Sequence, residues 1–298
     1  MLGTSDPTSI RVHLLKLFDN VKDFGFVKQN KQVNYLGSSE GEGFYLRDAA
    51  PVEGPVEVWM TGAEDEMRRS LHAITKEGVF KYASQPRLTW IEEQMGMVAC
   101  AGSQIWWTWE TEDVFRRVRK GDKYAMKAYA EKLTKQLLDL VAKVRENIPK
   151  MVRIKVNTLL IVDVHARDIV DSFVRDSILD AREFAWESQL RFYWDRDSDD
   201  IIIRQCTGNF GYGFEYMGLN GRLVITPLTD RCYMTLTQAL TFNLGGSPAG
   251  PAGECGGCCG LPRLVPVSPP PSSTRPPQAR ARLRPSRTSP RTWRCRAS

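Results

Sequence analysis

"DKYAMKAYAEKLTKQLLDLVAKVRENIP", residues 122–149, decides the fold class. Tyr129, Leu133, Leu137, Leu140, Val144 and Ile148 recur at three- to four-residue steps, which places them on one face of a helix. Pro149 ends the run, because proline lacks the N–H that would continue it. This is a long amphipathic helix.

Upstream, "RLTWIEEQMGMVACAGSQIWWTWETEDVFRRVRKG" continues as helix toward Gly121, a stop of the expected kind. Before it, "PVEVWMTGAEDEMRRSLHAITKEGVF" places Thr61 ahead of an acidic first turn, with Leu71 and Ile74 at helical spacing, so Thr61 is the expected N-cap. Residues 25–55 hold Gly, Ser and Pro and read as loop, and Val12, Leu15, Leu17 and Phe18 mark a short helix within 1–24. Downstream, a helix is expected from Val152 to about Leu179. "QLRFYWDRDSDDIIIRQCT" then gives two strand-like runs, 189–194 and 201–206, around an acidic turn: a β-hairpin. Phe210–Met217 and Arg222–Ile225 read as extended, and Pro227–Phe242 returns to helix with proline at its start. The expected architecture is mostly α, with a small β module near the end and no internal repeat.

Charge divides the chain. The whole carries +6, but the segment from Glu254 holds nine Arg and one acid, which leaves −2 for residues 1–253. A near-neutral body excludes an electrostatic nucleic-acid or membrane partner. Residues 254–298 also hold nine of the seventeen prolines and four of the seven cysteines. With no hydrophobic periodicity, that tail has no core to offset the entropy of ordering it, so disorder is expected. Its composition is that of a GC-rich message read out of frame, and a frameshift or alternative exon after Gly253 is the expected origin. Cys100, Cys206 and Cys232 read as buried free thiols of a reducing compartment. The N-terminus has no basic start followed by an apolar run, and no stretch approaches a membrane span, so a cytosolic protein is expected.

Four constellations invite chemistry. Asp163, His165 and Asp168 of "DVHARD" lie close together, and a His–carboxylate pair is the raw material of a general base. No nucleophile is evident nearby, and a helix-surface or packed ion pair is the plainer expectation. Asp195, Asp197 and Asp199 occupy positions 1, 3 and 5 of a calcium-type loop, but Asp200 and Cys206 stand where Gly and Glu belong. A solvated hairpin tip is expected there. Trp106, Trp107 and Trp109 lack the basic groove of a stacking platform and read as core. Cys255, Cys258 and Cys259 offer half a zinc site without a second pair, so no metal is expected.

"GGSPAGPAGECGGCC", 245–259, opens like a phosphate loop of the form G-x-x-x-x-G-K-[ST]. Counted from Gly250, the second glycine, the Lys and the Thr belong at 255, 256 and 257; the chain has Cys255, Gly256 and Gly257. The loop is interrupted midway.

"VEVWM" (56–60), "SQIWWTWE" (103–110), "DVHARDIV" (163–170), "WESQLRFYWD" (186–195), "FEYMGLNGRLVITPLTDRCYMTLTQAL" (214–240) and "GSPAGPAG" (246–253) resemble, in order, the dynein heavy chain, and most closely an axonemal, inner-arm type. The resemblance covers most of residues 1–253, and "RLVITPLTDRCY" is its most specific element. It implies that residues 1–210 are the C-terminal part of the linker, the helical lever of the motor. Residues 211–253 would then be the start of the first AAA+ module, an incomplete α/β unit, and 254–298 a disordered Arg/Pro-rich tail. It places Leu223, Val224, Ile225, Thr226 and Pro227 against adenine, with Gly250, Pro251, Ala252 and Gly253 as the remnant of the phosphate loop. The family motif continues GPAGTGKTET, and the Lys, the Mg²⁺-binding Thr and everything later are missing after Gly253. So no catalytic residue and no cofactor are expected for this chain, although ATP and Mg²⁺ serve the intact family. Implied partners are other dynein chains or axonemal assembly factors, with microtubules reached only through the intact heavy chain. The implied location is the cytoplasm and the axoneme of cilia or flagella. A non-motor isoform whose helical body binds other dynein subunits or assembly factors is the alternative, and nonspecific binding of RNA or anionic surfaces by the Arg-rich tail is a third. With the following sheet missing, Gly211–Phe242 is expected to be poorly held, leaving Leu236, Leu240 and Phe242 without cover.

Overall fold

The computed structural model describes residues 20–28, 31–219, 221–222, 224–245 and 264–266. All of them belong to one compact unit, Met1–Val267. The helix expected within 1–24 rests on residues that lie outside this set, as do Cys255, Cys258, Cys259 and Cys295.

The chain enters through an antiparallel three-stranded sheet in the order β1 (Asp23–Val27), β2 (Gln32–Gly37), β3 (Gly43–Pro51). This corrects the loop reading of 25–55. The glycines and serines sit mainly at the turns, while Phe44 and Leu46 point inward and Tyr45 and Arg47 outward, the period-two pattern of a half-buried strand. Gly43 is required by close approach: a Cβ there would stand 2.7 Å from the Leu36 carbonyl oxygen.

Helix α1 spans Val56–Lys81 and starts after Pro55, five residues before the expected cap. Thr61 lies inside the helix, its hydroxyl donating to the Glu57 carbonyl at 2.8 Å. Proline at 55 has the right φ to enter a helix and needs no N–H there, which outweighs the acidic-turn signal at 61. The buried stripe Trp59, Met60, Ala63, Met67 and Leu71 covers the sheet face of Val33, Leu36, Phe44 and Leu46.

The expected single helix over 87–121 is two: α2 (Arg87–Glu93) and α3 (Gly96–Arg119). Lys155, 9% exposed, donates its Nζ to the carbonyls of Glu92 (2.9 Å) and Gln94 (2.8 Å) at the end of α2. Glu42 accepts the Gly96 N–H at 2.9 Å where α3 begins. A cation at a helix C-terminus and an anion at an N-terminus are the arrangement the helix dipoles favour. The α3 helix stops as expected at Gly121, whose φ is +105°.

Helices α4 (Ala125–Arg145) and α5 (Lys150–Arg175) complete a helical bundle with α3. Tyr129, Leu133, Leu137 and Leu140 are buried as their spacing predicts. Tyr129 and Leu133 meet Phe115, Val170, Phe173 and Trp186 in one cluster, and Leu140 meets Trp90, Val156 and Leu159 in another. The periodic run overshoots: α4 ends at Arg145 and α5 at Arg175, before Ile148 and Leu179. A one-turn helix α6 (Phe184–Glu187) sets Trp186, fully buried, beneath the bundle.

The hairpin forms from β4 (Arg191–Asp195) and β5 (Asp200–Gln205), and β6 (Gly208–Tyr212) pairs antiparallel with β5. The backbone of Leu264–Pro266 adds a short β7 on β6; the rest of 254–298 lies outside the described residues. Phe192, Ile201, Ile203 and Phe210 join the core beneath α1. Helix α7 (Pro227–Thr241) follows. No helix among the described residues is long and apolar enough to cross a membrane.

Candidate functional site

The chain leaves β6 at Tyr212 and turns into the core. Phe214, in the left-handed region at φ +44°, packs edge-on against Tyr212 (4.9 Å between centroids) and against His72 (5.0 Å). Such backbone is uncommon for a phenylalanine and is held here by burial, with 6% of the residue exposed. Tyr216 stacks obliquely on Phe44 at 5.1 Å and donates its hydroxyl to the Glu42 carbonyl at 2.9 Å. Burial raises the Tyr216 phenol above its ordinary value, so it stays a donor at any working pH. Leu219 is buried as well. The expectation of a poorly held 211–242 therefore does not apply to 211–219.

Beyond this point contact with the body becomes polar. Burial pushes the Cys100 thiol on α3 up, and the nearby Arg222 cation opposes that shift. Val224 is 68% exposed, Ile225 half-buried, and Thr226 and Pro227 exposed. Thr226 is the N-cap of α7: its Oγ1 accepts the Thr229 N–H at 3.3 Å while its own N–H donates to Thr229 Oγ1 at 2.8 Å. On α7 only Thr237 is buried; Leu236 is half-buried, and Leu228, Leu240 and Phe242 face solvent. The uncovered apolar side chains anticipated for this helix are thus found at Leu240 and Phe242. Leu223 and Gly250, Pro251, Ala252 and Gly253 lie outside the described residues. Of the nine residues singled out for a nucleotide, four can be placed, and they form a continuous strip leading into α7.

The other constellations disperse. Asp163 is held by Arg87 through two short bonds, 2.6 and 2.9 Å, both side chains mostly buried. Asp168 is taken by Arg167. His165 turns to Asp230 on α7, Nε2 to Oδ1 at 3.5 Å, and burial lowers its basicity while Asp230 and Asp168 oppose that shift. Asp163, His165 and Asp168 thus each have a separate partner, two of them on other helices, and His165 and Asp168 do not pair with one another. At the hairpin tip Asp195 accepts from Ser198, and Asp199 pairs with Lys76 at 2.6 Å. Among the described residues no cluster of His, Cys, Asp and Glu could hold a metal ion. Trp106 donates to the Val79 carbonyl and stacks on Tyr82, and Trp107 packs on Trp186; Trp109 is 54% exposed, so the core reading fails for that ring. Cys100 and Cys206 are partly covered, but Cys232 is exposed on α7, which corrects its reading as a buried thiol.

The strip can contact a flat apolar group through Val224, Ile225 and Pro227, which is the chemistry a purine base asks for. A family model described as the hydrolytic ATP binding site of the dynein motor region matches residues 212–257. A second, described as dynein heavy chain N-terminal region 2, matches residues 1–78. The chain belongs to the dynein heavy-chain family. It is 67% identical over 253 residues to the dynein-1-alpha heavy chain of the flagellar inner arm I1 complex of Chlamydomonas reinhardtii. It is 56% identical over 257 residues to human dynein axonemal heavy chain 10, and 39% over 250 residues to mouse dynein axonemal heavy chain 1. These alignments cover 84–85% of the chain but about 6% of each relative's length. Both matched stretches of dynein sequence feed one core: Val33, Leu36, Phe44 and Met67 from the first pack in the same cluster as Phe214 and Tyr216 from the second.

Residue patterns gave no sign of Arg222, Glu42, Lys155 or Gln205, whose partners lie far away in the chain. An Arg placed directly before an apolar run was the one available hint, and it is ambiguous between a surface charge and a tether.

Proposed function

We propose that the chain supplies the C-terminal part of a dynein linker, residues 1–210, together with the opening of the first ATPase module, residues 211–253. Residues 254–298 form an unrelated tail. In the intact heavy chain these parts serve an ATP-driven, minus-end-directed microtubule motor of the ciliary or flagellar axoneme, working with other dynein subunits. The observation that carries this reading is the 67% identity over 253 residues to an inner-arm heavy chain. Leu223, Val224, Ile225, Thr226 and Pro227 form the adenine side of the site, with Gly250, Pro251, Ala252 and Gly253 as the start of its phosphate loop.

The chain alone is not an ATPase. Phosphoryl transfer depends on positioned charge around phosphate and metal. Val224, Ile225 and Pro227 suit a base, but Cys255, Gly256 and Gly257 bring neither the ammonium nor the hydroxyl that phosphate and Mg²⁺ require. A second reading, a non-motor module that binds dynein subunits or assembly factors, is favoured by the apolar side chains that α7 turns to solvent.

A chimeric inner-arm heavy chain carrying residues 1–253 in place of its own matching stretch tests the motor reading in a flagellated cell that lacks that arm. Restored assembly and beating are expected. Assembly without beating would favour the binding module, and failure of a stable chimera to assemble would overturn both.

A further inference from the structure

Helix α7 is fifteen residues long, yet its single buried residue is a threonine. Its underside is fastened by hydroxyls and amides. Thr237 Oγ1 donates to Gln205 Oε1 at 2.8 Å, Gln238 Nε2 donates to the Gln205 carbonyl at 3.1 Å, and Thr207 Oγ1 donates to Gln238 Oε1 at 2.9 Å. Gln205 is the last residue of β5 and only 3% exposed, and its own amide nitrogen donates to the Ser188 carbonyl at 2.9 Å. Its side chain is therefore fixed from one side by the body and grips α7 with the other. Apolar packing is nearly nondirectional and tolerates sliding, whereas a buried amide tolerates one geometry.

We propose that Gln205 is a positioning residue: through Thr237 and Gln238 it sets the height and rotation of α7, and with them the placement of residues 224–227 that α7 carries at its start. The proposal rests on the reading of 224–227 as the nucleotide side, but the grip itself does not depend on that reading. Gln205 acts from the hairpin, so it couples the sheet of the lever to the first helix of the ATPase module with no contact to nucleotide.

Amide hydrogen exchange on the whole chain tests this without any nucleotide, so a failure here is distinct from a failure of the motor reading. Thr237→Val keeps the shape and removes the hydroxyl, leaving the Gln205 oxygen buried and unmatched; exchange across 230–241 is expected to rise about tenfold, with 125–145 unchanged. Thr237→Ser restores the hydroxyl and should return exchange to near the parent value. Should Thr237→Val not fold, Gln238→Ala removes two of the three bonds from a more exposed position and is expected to have the same local effect. Unchanged exchange in α7, equal acceleration of α4 and α7, or no rescue by serine would overturn the proposal.

Discussion

The Tyr216 hydroxyl donates to the backbone carbonyl of Glu42 at 2.9 Å, joining the segment after β6 to the β2–β3 turn across most of the chain. That carbonyl also takes the Ser38 N–H at 2.7 Å, so the turn and the segment are fastened at one point. Tyr216→Phe keeps the ring on Phe44 and removes only this bond. It is expected to cost about 1 kcal/mol, or roughly 2–4 °C in melting temperature. Calorimetry of the two proteins decides it, and an unchanged melting temperature would mean the bond contributes nothing net.

Arg87 and Asp163 form the most enclosed ion pair among the described residues, tying α2 to α5. Removing one partner leaves the other charge buried, so Asp163→Ala is expected to destabilise by about 3 kcal/mol. Replacing both, as Arg87→Met with Asp163→Leu, should recover most of that loss, because the desolvation of two charges disappears with them. A double-mutant cycle in urea measures both. Additive losses would contradict the coupling.

Glu42 gives a pH prediction. Burial is the main cause that raises its carboxyl above the ordinary value, opposed by the Gly96 N–H and Lys155. A raised carboxyl contributes stability below its unfolded value of 4.5 and loses it as pH rises through the folded value. Lys155 is shifted the opposite way, lowered chiefly by burial, so its contribution is present above 10.5 and lost as pH falls through its folded value. Between the two, both groups are ionised at some cost. Glu42→Gln keeps an oxygen for Gly96, and its stability relative to the parent should rise from pH 4 to pH 7. Urea midpoints across that range test it; a relative stability that falls over the same interval would reverse the sign.

The parts of this fold that were legible in sequence are those governed by local periodicity. Helix α4 announces itself through Tyr129 to Leu140, and the hairpin through Phe192 to Ile203 around its aspartates. The parts that were not legible are fixed by distant partners. The α2–α3 break depends on Lys155 and Glu42, which lie some fifty to sixty residues away on either side. The first sheet was hidden because its strands carry residues that read as loop, with Gly25 inside β1, Gly37 ending β2, and Gly43 and Pro51 bounding β3. At the candidate site, the strip 224–227 was found by resemblance alone, since Val224 and Pro227 carry no chemistry that singles them out. The grip of Gln205 on Thr237 was invisible for the same reason as the helix break: hydrogen bonds between distant polar residues leave no spacing pattern.

The proposed reading joins a dynein lever to the opening of an ATP site that lacks its own phosphate- and metal-binding groups. Nucleotide measurements on the purified 298-residue chain test it most directly. With radiolabelled ATP and Mg²⁺ in millimolar excess, equilibrium dialysis should show no saturable binding, and phosphate release should match buffer. Saturable binding displaced by unlabelled ATP, together with turnover that co-purifies with the chain, would contradict it.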